Sequence, residues 1–63
     1  MTDHQVKAAA AAIANVRAGR KGAPPISNVL ELLQSSPKLQ HLYDEVMEDA
    51  RAALEAAESS AGD

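Results

Sequence analysis

The chain has 63 residues, with six Lys and Arg against nine Asp and Glu, a net charge of −3, and no Cys, Phe or Trp. Without cysteine there is no disulfide, thiolate-bound zinc, iron–sulfur cluster or thiol nucleophile. The large core-forming side chains beyond Met1 come to four Val, two Ile, six Leu, one Met and one Tyr. A core built from these is thin for a chain below ~70–80 residues, and a single all-α domain completed by a second copy or a partner is the expectation.

Thr2 followed by Gln5 three residues on matches a capping box, which pairs two backbone N–H groups at a helix start. From Asp3 to Ala18 nearly every residue is a good helix former. Val6, Ala9, Ala10, Ile13 and Val16 share one face by their three-and-four spacing. Gly19 and Gly22 offer termination, and Arg17 and Arg20 suit the negative end of the helix dipole. A first helix over 3–18 follows. The segment 20–25, with Gly22, Pro24 and Pro25, reads as a linker. Beyond it, Ile26, Val29, Leu30 and Leu33 repeat as i, i+3, i+4, i+7 and predict a short second helix over about 25–34.

Ser36-Pro37 places a capping residue ahead of a proline suited to a first helical turn. The third helix, 37–58, carries an apolar stripe of Leu39, Leu42, Tyr43, Val46, Met47, Ala50, Ala53, Leu54 and Ala57. It would span ~33 Å at 1.5 Å per residue, long enough to overhang its neighbours and meet a second copy. The opposite face holds Asp44, Glu45, Glu48, Asp49, Glu55 and Glu58, with pairing expected between Arg51 and Glu48 at i, i+3 and between Arg51 and Glu55 at i, i+4. Residues 59–63 are expected to form a frayed, disordered tail.

Charge is divided along the chain. Lys7, Arg17, Arg20 and Lys21 against Asp3 leave residues 1–30 at +3, and the remainder carries −6, a pattern suited to antiparallel pairing of the two halves. The longest apolar run, Ala8–Ala14, has seven residues, far short of the ~20 that cross a membrane. The first residues lack the basic and apolar regions of a secretory signal. No membrane partner and a cytoplasmic location are the corresponding expectations.

Catalytic and metal readings are weak. His41, Asp44, Glu45 and Glu48 share a helical face, yet one helix supplies too few ligands, and a solvated acidic face is the simpler reading. Carboxylate pairs such as Asp44 and Glu48 lack a cleft to desolvate one member and raise its pKa. No enzyme activity, cofactor or small-molecule substrate is expected. Helices 2 and 3 resemble a helix-turn-helix in outline, but Asp44 and Glu45 in the first turns of the second helix would repel phosphates.

The expected function is a non-enzymatic protein-binding module: a small regulator, inhibitor or accessory subunit that occupies a partner's surface, or a homodimer. Leu39, Leu42, Tyr43, Val46 and Met47 form the expected apolar contact set. Charge specificity would come from Arg17, Arg20 and Lys21 or from the acids Asp44, Glu45 and Glu48. The alternatives are a nucleic-acid-associated regulator using the basic segment Arg17–Lys21 and a structural subunit of a larger assembly.

Overall fold

The capping box forms as the sequence predicts. The Gln5 N–H donates to Thr2 Oγ1 at 3.1 Å and the Thr2 N–H donates to Gln5 Oε1 at 3.0 Å. It opens α1, Asp3–Arg20, in a computed structural model that describes residues 1–61. The helix runs two residues past the expected end because Gly22, not Gly19, is the terminator. Gly22 has φ 92, a left-handed backbone that glycine adopts without a Cβ penalty. Around it the Ala23 N–H donates to the Ala18 carbonyl and the Gly22 N–H to the Gly19 carbonyl, both at 3.0 Å. These are the paired bonds of a Schellman motif, which satisfy carbonyls that the helix end would otherwise leave open.

The second helix, α2, is shorter than predicted and covers Val29–Ser35. Residues 23–26 have no regular structure, and Ile26, expected on the helix, lies outside it at 38 % exposure. The reason is a tertiary contact. The Asn15 side chain pairs with the backbone of Ile26 through both of its polar atoms. Its Nδ2 donates to the Ile26 carbonyl at 3.0 Å and its Oδ1 accepts the Ile26 N–H at 3.1 Å. With both of its backbone groups paired to Asn15, Ile26 is held in the irregular segment that precedes α2.

Ser36-Pro37 does begin a helical segment, but by a tighter route than expected. Pro37–Leu39 form one 3-10 turn, with the Leu39 N–H donating to the Ser36 carbonyl at 3.0 Å. Ser36 stands at the cap position without a side-chain hydrogen bond. From there α3 runs Gln40–Ala61. It continues through Ser59–Ala61, the first three residues of the expected tail; residues 62 and 63 lie outside the described part. Among the described residues there is no strand, and no helix is long and apolar enough to cross a membrane.

Helices α1 and α3 lie antiparallel. Near one end Arg17 reaches Glu45 and Asp49, and at the other the amino group of Met1 contacts Glu58 at 2.7 Å. α1 therefore runs alongside almost all of α3, and the expected overhang shrinks to the last turn, Ser59–Ala61. α2 packs against both long helices.

The core is Val6, Ala10 and Ala14 from α1, Val29 from α2, and Val46, Met47 and Ala50 from α3. Ala10 and Ala50 have no exposed surface. A residue that is only a methyl group lets two helix backbones approach closely, and close packing restores the dispersion contacts that larger side chains would supply. Leu30, Leu33, Tyr43 and Leu54 are half-buried around this centre. Val16, expected on the inner face of α1, is 55 % exposed. The buried row Val6, Ala10, Ala14 follows i, i+4 spacing, which carries the contact face around the helix and leaves Val16 outside it.

Candidate functional site

Among the side chains expected to contact a partner, Val46 and Met47 are withdrawn into the chain's own core, at 2 % and 9 % exposure. Helices α1 and α2 cover that part of the α3 stripe. Leu39, Leu42 and Tyr43 are half-buried. Asp44, Glu45 and Glu48 are exposed on the outer face of α3. No group of three or more His and carboxylate side chains converges into a metal-binding arrangement among the described residues, so His41, Asp44, Glu45 and Glu48 share a face without forming a common centre.

The acidic face is organised by a cation from another helix. Arg17 Nη1 lies 3.4 Å from Glu45 Oε1, and Arg17 Nη2 contacts Asp49 Oδ2. The expected Arg51 pairs with Glu48 and Glu55 do not occur among the described ion pairs. The charge division along the sequence is thus resolved across the α1–α3 seam, at side chains 37–53 % exposed. At that exposure a pair contributes at most about 1 kcal/mol, because water and salt screen it.

Pairing Arg17 in this way sets it apart from Arg20 and Lys21. These two exposed cations make no ion pair among the described residues. They follow Arg17 at the end of α1, where the Schellman turn carries the chain away from the helix axis. Directly beside them is a groove of about 430 Å³, lined by Ala14, Ala18, Val29, Leu33, Leu42 and Val46, with Arg17, Arg20 and Lys21 at its edge. All three helices contribute to it: the last two turns of α1, the first turns of α2, and the start of α3. Clefts between helices with an apolar lining and a few polar groups at the rim are the usual form of a binding site.

The remaining depressions are less suited: one is lined mainly by the polar side chains of Lys7, Ser27, Asn28, Glu31 and Gln34, with Leu30 and Tyr43. Another, between α1 and α3, is formed by Ala12, Ile13, Val16 and Ala53 with Arg17, Arg20 and Asp49, and only Ile13 and Val16 supply large aliphatic surface. A third, between Tyr43, Asp44, Met47, Glu48 and Arg51, is largely polar.

The structure therefore assembles Arg17, Arg20, Lys21, Leu42 and the buried Val46 from the sequence expectation at one place, and leaves Leu39, Tyr43, Met47, Asp44, Glu45 and Glu48 outside it. It adds Val29 and Leu33 of α2, which the sequence placed only on the apolar face of the second helix. Their spacing shows that they share a face; it does not show that α2 is too short to close over them. The two hydrogen bonds of Asn15 belong here as well, since they hold the 23–26 segment that leads into α2. The available signal was an asparagine in the middle of an Ala-rich helix, where its own propensity is poor. No family model, no curated protein and no solved structure matches this chain.

Proposed function

We propose that this chain is a non-enzymatic protein-binding module, a small regulator or accessory subunit that acts by occupying a partner's surface, and that the groove between α1, α2 and α3 is its contact site. One observation carries the reading: large aliphatic side chains from α2 and α3 line an open groove beside two cations that make no ion pair among the described residues. Apolar surface held at the surface of a small domain favours association, and flanking charge selects among partners. The nucleic-acid alternative draws on the same basic segment, but Glu45 and Asp49 stand beside Arg17 and would repel a phosphate backbone.

Photo-crosslinking in the native host tests the site. A crosslinking amino acid at Leu33 or Leu42 should yield discrete adducts with a protein, and the same group at Ala57, on the far half of α3, should not. Adducts from Ala57 alone, or from none of the three, would remove the groove as the contact surface. Sedimentation of the purified chain separates a homodimer from a partner of different sequence.

A further inference from the structure

Resting on the protein-binding reading, the shape and charge of the groove point to a particular kind of occupant. We infer that it takes two turns of an amphipathic helix, with aliphatic or aromatic side chains at i, i+3 or i+4, and i+7, and with acidic side chains at one end of that stripe.

The argument starts from length. Along α1 and its cap the groove extends from Ala14 to Lys21, seven residue steps or ~10 Å at 1.5 Å per step. That is the rise from i to i+7 on another helix. Leu33 and Leu42, half-buried, present its apolar surface, with the buried Val29 and Val46 as its floor, so the seated face must be apolar. Its charge lies at one end, where Arg20 and Lys21 close α1. Arg17 already faces Glu45 and Asp49, which leaves those two cations for the occupant. A matching acid would be placed beside them, at the edge where water remains and where charge governs specificity and encounter rate.

The chain's own composition argues against a second copy as occupant. Its only long acidic helix is α3, and up to Ala50 the large side chains of its apolar stripe are buried, as Val46 and Met47 are, part of the groove, as Leu42 is, or a lone half-buried Tyr43. Beyond Ala50 the helix offers Leu54, itself half-buried, and alanines. A phosphate backbone would leave the aliphatic lining uncovered.

A synthetic helical peptide of about 16 residues tests this, with Leu at i, i+4 and i+7 and Glu at one end of the stripe. Its twin carries Lys in place of Glu. Fluorescence anisotropy at low salt should show the acidic peptide binding about tenfold or more tightly than the twin, with the gap narrowing as salt rises. The double variant Arg20→Glu, Lys21→Glu, whose sites are exposed, should remove or reverse the gap while circular dichroism stays unchanged. Equal binding of the two peptides, or binding of neither, overturns the inference. Should that occur while crosslinking at Leu33 and Leu42 still yields a partner, the protein-binding reading stands and only the partner's chemistry is wrong. A concentration-dependent dimer broken by Leu42→Glu would instead assign the groove to a second copy.

Discussion

The two halves of α3 are both helical, yet they are held in different ways. Gln40–Ala50 carries Leu42, Tyr43, Val46 and Met47 and lies under both other helices, so Val46, Met47 and Ala50 are buried. Residues 51–61 meet the front of α1 only, and Leu54 is their single half-buried side chain; the rest are exposed. Ala, Leu, Glu and Arg make the second half helical by local preference, whereas the first half is helical and fixed in place by packing. Amphipathic pattern alone does not separate the two. What separates them is side-chain volume and the presence of α2.

This contrast can be broken most severely at Val46. An unpaired carboxylate at so closed a position costs several kcal/mol, comparable with the roughly 3–5 kcal/mol that a core of this size supplies. Val46→Asp should abolish the cooperative thermal transition followed by circular dichroism; a sharp transition in that variant would mean that the first half of α3 is not the core. A smaller effect distinguishes the alanines. Ala50→Leu forces volume into a fully enclosed helix contact and should cost about 1–3 kcal/mol. Ala57→Leu, on the exposed half, should stay within ~0.5 kcal/mol. Equal costs in urea titrations would erase the distinction between the halves.

Asn15→Ala tests the tether that places α2 over the first half. Two hydrogen bonds to Ile26 are lost, at about 1 kcal/mol each, and better helix propensity returns roughly 0.5 kcal/mol. Net destabilisation of about 1–1.5 kcal/mol is expected, with faster hydrogen exchange at the Ile26 amide. Unchanged exchange there would show that the 23–26 segment does not depend on Asn15. The smallest effect belongs to Arg17→Ala. Its exposed pairs contribute at most about 1 kcal/mol, and the difference from the parent should shrink in high salt. A loss that persists in 1 M salt would point to packing of the Arg17 stem rather than to charge.

Local chemistry determined a good deal of this protein. Thr2 and Gln5 announce the start of α1, because the two bonds they make span only three residues. Gly22 marks its end for a similarly local reason, although Gly19 looked equally suitable until the Schellman bonds chose between them. Ser36-Pro37 marks the break before α3, since proline removes an N–H that a helix start leaves free. The three-and-four spacing of apolar residues placed three helices in order.

Tertiary structure decided the rest. Which residues of a stripe are buried depends on what covers them: Val46 and Met47 have the same pattern as Leu42, but only Leu42 is left half-exposed at the groove. Val16 fits the stripe of α1 and is nonetheless exposed, because the α1–α3 contact follows the row Val6, Ala10, Ala14. Asn15 and Ile26 are eleven residues apart, and Arg17 and Asp49 thirty-two. No local preference encodes such meetings. They arise from the antiparallel register of α1 and α3, and from them follow the late start of α2, the open groove and the two cations left beside it.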